Sequence, residues 1–132
     1  MIRLLVVDDS SLLRILVSRM LDNIDGIEVV GECADGSDVV VKAAAVTPDV
    51  VLMDVSMPVM NGPEAARLLQ QWQPAVRVLM YSSTGAAQER KDSADAAAAG
   101  FLVKDGDFGK LVAAIRTIAA GGLVWPEPGV QA

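Results

Sequence analysis

Residues 51–62 read VLMDVSMPVMNG. Together with Val50 the stretch begins as an unbroken apolar run, residues 50–53, and stops at a single carboxylate, Asp54. A short run without polar alternation is the pattern of a strand covered on both faces. Pro58 and Asn61-Gly62 then turn the chain, and Pro63 suits the first turn of a helix reaching about Trp72, where Pro74 stops it. A carboxylate at the mouth of a buried strand has several readings: helix cap, solvated turn, metal ligand, base or nucleophile. What the other strands bring to the same edge decides among them.

The same unit recurs on both sides. Residues 2–7 form an apolar run closed by Asp8-Asp9. Ser10 offers an N-cap, and Leu12, Leu13, Ile15, Leu16, Met20 and Leu21 follow at helical spacing. After the Asp25-Gly26 turn, residues 27–31 read as a second strand. Asp35-Gly36 opens a second helix through Val39, Val40 and Ala43, broken by Pro48. Residues 76–81 give a fourth strand. An Ala-rich fourth helix is expected to run to Gly100 as its C-terminal cap. Residues 101–103 give a short fifth strand, and Leu111, Val112, Ile115 and Ile118 mark a fifth helix ended by Gly121-Gly122. Strands apolar throughout, alternating with helices, predict an α/β domain in three layers, a five-stranded parallel sheet between helices. The domain is expected over residues 1–122, with 123–132 as a tail or the start of a linker.

Composition narrows the function. The chain has 132 residues, 52% hydrophobic and 21% charged, which suits one domain with a sizeable core. The net charge of -6 argues against nucleic-acid binding by this segment, which needs clustered Lys and Arg. The absence of histidine removes most Ser-His, Cys-His and zinc designs. Cys33, the single cysteine, cannot form an internal disulfide and reads as a buried thiol. The N-terminal apolar run is too short for a signal peptide or a membrane span, so a cytoplasmic location without membrane contact is expected.

Open parallel sheets bind ligands outside the carboxyl ends of their strands. There the sequence places Asp8 and Asp9, Asp54, Ser82-Ser83-Thr84, and Lys104-Asp105. Each alone has an ordinary reading as a cap, a turn or a solvated strand end; their joint placement at one pole does not. Clustered carboxylates repel and raise one another's pKa. A hard cation compensates, and oxygen ligands of this kind suit Mg²⁺ accompanied by phosphate oxygens. Lys104 could face a phosphate oxygen as a point charge, and Ser82 could hydrogen-bond another. Asp54 is then the candidate covalent acceptor. Phosphoryl transfer is mostly positioning and charge neutralisation, which such a cluster supplies.

The segments LLVVDDS, DVVLMDVSMPVMNG, VLMYSS and GFLVKD, in this order and spacing, resemble the receiver domain of two-component response regulators, over the chain to about Gly122. The resemblance implies the flavodoxin-like doubly wound (βα)5 fold with strand order 2-1-3-4-5, an order for which a chemotaxis receiver is a standard example. It implies Asp54 as phosphoacceptor, and Asp8, Asp9, Asp54 and the backbone carbonyl of Ser56 as Mg²⁺ ligands. It also implies Lys104 as the lysine contacting the phosphoryl group, Ser82 as the switch hydroxyl and Phe101 as the switch aromatic. Pro58 and Gly62 would shape the loop that delivers the Ser56 carbonyl. EVVGECADG, KD at 104–105 and AAIRTIAAGG are similar to receivers of LuxR-type transcription factors. The N-terminal segment and MYSS are similar to receivers of chemotaxis methylesterases. Ser83 and Asp105 depart from the commonest pattern, which has a small apolar residue and a proline there.

The resulting expectation is a signalling switch and not a metabolic enzyme. It would accept a phosphoryl group from a histidine kinase and control an output domain beyond Ala132 or a separate effector. Ser82 would shift toward the phosphoryl group and Phe101 would rotate inward. Partner binding or homodimerisation would use the surface from about Thr84 to Ala120, formed by the fourth helix, fifth strand and fifth helix. Two rivals are a Mg²⁺-dependent phosphohydrolase working through an aspartyl-phosphate, and a receiver-shaped binding module independent of phosphorylation.

Overall fold

The computed structural model describes residues 1–126. Five parallel strands, β1 (Ile2–Val7), β2 (Ile27–Cys33), β3 (Val50–Asp54), β4 (Arg77–Ser82) and β5 (Gly100–Val103), lie in the order β2-β1-β3-β4-β5. Between them run α1 (Ser11–Asp22), α2 (Val39–Val46), α3 (Gly62–Trp72) and α4 (Ala87–Asp95), and α5 (Phe108–Ala119) follows the last strand. The order reverses between β1 and β3, so the ends of those two strands flank the switch point of the sheet.

Strict alternation along the strands divides the core in two. Leu5, Val7, Val51, Met53, Val78, Met80 and Phe101 join α2 and α3 on one face. Leu4, Val6, Val50, Leu52 and Leu79 join α5 and Leu21 of α1 on the other. Both faces of the central strand β3 are buried, which is why its run carries no polar alternation.

Four details differ from the sequence reading. Asp35-Gly36 opens a single 3₁₀ turn, Gly36–Asp38, and α2 starts only at Val39. The aliphatic residues of α1 mostly face solvent: Leu12 is 76% exposed, and Leu13, Ile15, Leu16 and Met20 are exposed too, while Ser18 and Leu21 are buried. Helical spacing alone does not tell a core stripe from a wide apolar surface. The fourth helix ends at Asp95, before the alanines; Ala97 takes a left-handed conformation (φ 61°) and the chain enters β5 at Gly100. Gly100 is needed for close approach rather than for capping, because a Cβ there would lie 2.7 Å from the Val124 carbonyl oxygen. Finally, residues 123–125 are docked. Val124 makes a parallel bridge to Gly100, its N–H donates to Ala99 and its carbonyl accepts from Phe101. Trp125 stacks on Phe101, ring centroids 6.4 Å apart. The rest of the expected tail, 127–132, lies outside the described residues.

α4 is the least anchored helix. Its sequence, AQERKDSAD, offers little to bury, and only Ser93 is buried.

Candidate functional site

Each site residue stands where its strand runs out. Asp8 continues β1 with its N–H on the Cys33 carbonyl. One of its carboxylate oxygens accepts from the Ser10 N–H at 2.9 Å and the other from Lys104 Nζ at 3.0 Å. Ser10 in turn caps α1, accepting from the Leu13 N–H. Asp54 ends β3 and is 8% exposed; its Oδ2 lies 3.4 Å from Lys104 Nζ. Oxygens of Asp8, Asp9 and Asp54 all lie within 4.8 Å of one another. Lys104 follows β5, its N–H held by the Ser82 carbonyl at 2.7 Å. Its ammonium sits 5.5 Å from the Tyr81 ring centroid, a cation–π contact.

Burial pushes the Asp54 carboxyl up to about 6, with the Asp8 charge adding to it, against the opposing Lys104 ammonium. Burial pulls Lys104 down, but the Asp8 hydrogen bond and the Asp54 charge outweigh it and hold the ammonium above its ordinary range. The donor set, three hard oxygens and one partly compensating cation, fits a small divalent ion.

This gives a pH prediction for the metal-free protein. The folded pKa of Asp54, about 6, lies above its ordinary 3.8, so the native state binds the extra proton between those values. Stability from this group is full below about pH 4 and is lost as pH rises through 6, about 2–3 kcal/mol in all. Urea unfolding in EDTA from pH 4 to 7.5 should show this fall, and Asp54→Asn should remove it. Parallel curves for the two proteins would show that Asp54 ionises normally.

The loop after Asp54 is tightly set. The Ser56 N–H points at Asp54 Oδ1 at 3.4 Å, a long contact. The Gly62 N–H donates to the Val55 carbonyl at 2.8 Å, and Asn61 Oδ1 caps α3 through the Glu64 N–H. A Cβ at Gly62 would lie 2.4 Å from the Asp54 carbonyl oxygen, and one at Gly36 equally close to the Met60 carbonyl oxygen. Val59 takes φ 65°, a conformation costly for a β-branched side chain.

Ser82 and Phe101 make none of the hydrogen bonds or ion pairs that join Asp8, Asp54 and Lys104. By alternation Ser82 lies on the Met80 face of β4, the face that also holds Phe101. Its hydroxyl donates to Glu89 Oε1 and accepts from the Thr84 and Gly85 N–H groups. Phe101 is fully buried, stacked against Trp125. Three neighbours escaped the sequence reading. Tyr81 pairs with Asp54 across β3–β4, a register that the strand runs alone do not give. Glu89, a charged residue of α4, has no spacing signal that ties it to Ser82. Trp125 read as part of the tail.

A doubly wound α/β sheet thus brings three carboxylates and a lysine together at its β1/β3 switch point, where such sheets bind ligands. The sequence pattern of the family described as "Response regulator receiver domain" matches residues 4–116, and the chain belongs to that family. It is a receiver of two-component response regulators, a flavodoxin-like domain whose role is tied to phosphorylation. Response regulator GacA of Pseudomonas viridiflava is 41% identical over 121 residues, covering 92% of this chain and 56% of the relative. The chain thus spans about half the length of that relative. A protein-glutamate methylesterase/protein-glutamine glutaminase of Alkalilimnicola ehrlichii is 45% identical over 105 residues, 78% of this chain and 27% of that protein. Among solved structures, a LuxR-family two-component response regulator from Aurantimonas sp. SI85-9A1 superposes with a TM-score of 0.88 at 32% identity, covering 93% of this chain and 88% of that one. Both resemblances read from the sequence, to LuxR-type and to methylesterase receivers, are thereby met. No helix among the described residues is long and apolar enough to cross a membrane.

Proposed function

We propose that Asp54 is the phosphoacceptor of this receiver, with a histidine kinase as donor and Mg²⁺ as the required ion. The observation that carries the reading is the Lys104 ammonium set between Asp8 and Asp54, 3.0 and 3.4 Å away, beside the exposed Asp9. An Asp54 oxygen attacks phosphorus, the P–N bond of the donor phosphohistidine breaks, and the bonding pair leaves with the imidazole nitrogen. Lys104 turns from the carboxylates to a phosphoryl oxygen. Asp8, Asp9, Asp54 and the Ser56 carbonyl would hold Mg²⁺, which supplies charge neutralisation for the transferring group. The exposed α1 aliphatics start at Leu12, less than one helical turn past Asp9, and this apolar surface is where the donor protein would rest. The output, attached or separate, and any homodimer would use the α4–β5–α5 face. This reading makes the domain a switch in the cytoplasm that assists its own phosphorylation and dephosphorylation, not a metabolic enzyme.

Wild-type protein given acetyl phosphate and Mg²⁺ should gain one acid-labile phosphoryl mass, and none with EDTA. No gain under either condition would overturn the reading. Asp9→Asn should weaken Mg²⁺ binding roughly tenfold or more, since one charged ligand is lost, and slow phosphorylation with it. Titration calorimetry that finds unchanged Mg²⁺ affinity would remove Asp9 from the site.

A further inference from the structure

The Ser82 hydroxyl is fully committed. It has one proton and two lone pairs. The proton goes to Glu89, and the lone pairs take the Thr84 and Gly85 N–H groups. Ser82 is buried, so water does not compete for these bonds. Glu89 collects a second hydroxyl as well, since Thr84 Oγ1 donates to the same carboxylate oxygen at 3.1 Å. Thr84 Oγ1 also accepts from the Ala86 N–H, the residue just before α4. Ser93 Oγ, the one buried side chain of α4, bonds the Glu89 carbonyl. Glu89 lies in the first turn of the helix, where a negative charge is favoured by the helix dipole.

We propose that Glu89 is a latch: it holds the Ser82 hydroxyl away from Asp54 and, through the same bond, ties the first turn of α4 to the end of β4. The inference rests on the receiver reading of the site. A phosphoryl group on Asp54 and the Glu89 carboxylate compete for one proton. If Ser82 donates to the phosphoryl group, Glu89 loses a charge-assisted hydrogen bond, and α4, which has almost no apolar burial of its own, loses a principal tether. Occupancy of Asp54 and the freedom of α4 are then linked. By reciprocity, weakening the latch must strengthen binding of a phosphoryl mimic. Glu89 is thus a positioning residue acting through Ser82, not a member of the reacting set.

The test is the affinity for beryllofluoride in the presence of Mg²⁺, by titration calorimetry, in wild type, Glu89→Ala, Glu89→Gln, Ser82→Ala and the Ser82→Ala/Glu89→Ala double variant. Glu89→Ala should bind roughly tenfold more tightly, the scale of one hydrogen bond to a charged group. Glu89→Gln keeps a neutral acceptor and should fall between. In the Ser82→Ala background the Glu89→Ala effect should vanish. If the tightening persists there, it is simple relief of charge repulsion and the latch is wrong. Unchanged or weaker binding by Glu89→Ala also overturns it. Failure of the wild type to bind the mimic would overturn the receiver reading itself. A separate arm needs no mimic: in the unliganded protein, amide exchange in the first turn of α4 should rise several-fold in Glu89→Ala. Unchanged exchange there refutes the tether whatever the site does.

Discussion

Asp54→Asn should abolish phosphorylation while leaving a folded and, at neutral pH, more stable protein. The two effects share one cause. In wild type the Asp54 carboxylate is held among Asp8 and Asp9 in a site with 8% exposure, and burial raises its pKa to about 6. Keeping it ionised at pH 7 costs about 2–3 kcal/mol in the metal-free state. The neutral amide avoids that cost and still fits the contacts, since Lys104 keeps Asp8 and the Ser56 N–H still has an oxygen to approach. An amide oxygen is a poor nucleophile, so no phosphoryl ester forms. Incubation with acetyl phosphate and Mg²⁺ followed by intact-mass analysis should show the increment in wild type alone, a drop of at least about 10³-fold in rate for the variant, in line with losing a covalent nucleophile. A full increment on the asparagine protein would place the acceptor elsewhere.

Gly62→Ala should be among the most damaging added methyls at the described glycines, with Gly36 its equal in closeness of approach. The added carbon would meet the Asp54 carbonyl oxygen at 2.4 Å, Val55 Cα at 3.1 Å and Met80 Sδ at 3.2 Å. Two of these are backbone atoms, and a rotamer change cannot move them. Either α3 shifts at its first turn, breaking the Gly62-to-Val55 hydrogen bond, or β3 gives way at its carboxyl end. We expect a loss of about 3 kcal/mol, seen as a fall in Tm of about 10 °C for a domain of this size, and weaker Mg²⁺ binding because the displaced backbone carries Asp54. Gly26→Ala is the control. Gly26 has φ +86° but nothing within 4 Å of its Cβ position, so only the backbone conformation opposes it. Equal losses at the two positions would mean that close approach is not what Gly62 serves.

The sheet was legible because the inner strands are short apolar runs, and β1, β3, β4 and β5 are closed by Asp, Ser or Lys, so the strand-end rule gathers Asp8, Asp54 and Lys104 at one edge. The family pattern supplied the strand order, which alternation of elements leaves open. What escaped has physical reasons. The aliphatics of α1 satisfy helical periodicity whether they face the core or solvent, so the spacing leaves the facing of Leu12 and Leu16 open. Ala96–Ala99 carries high helix propensity, yet Ala98 and Ala99 are buried against the sheet in a turn, and tertiary packing overrode propensity. Glu89 lies seven residues from Ser82 across a turn, a relation with no fixed spacing. Val124 and Trp125 follow Gly121-Gly122, a reasonable stop signal for a helix but not for a domain edge. The path of the main chain past that stop depends on Gly100 leaving room for it, a contact between residues far apart in sequence.

That docked segment gives β5 a mechanical meaning. One end of the strand carries Lys104, in contact with both Asp8 and Asp54; the other carries Gly100 and Phe101, which hold Val124 and Trp125. The strand between is four residues long, roughly 13 Å at the usual rise. An extended backbone is close to inextensible, so β5 behaves as a push-rod and not as a spring. No loop separates the lysine from the backbone that holds Val124, so the site and the docked segment share one continuous strand.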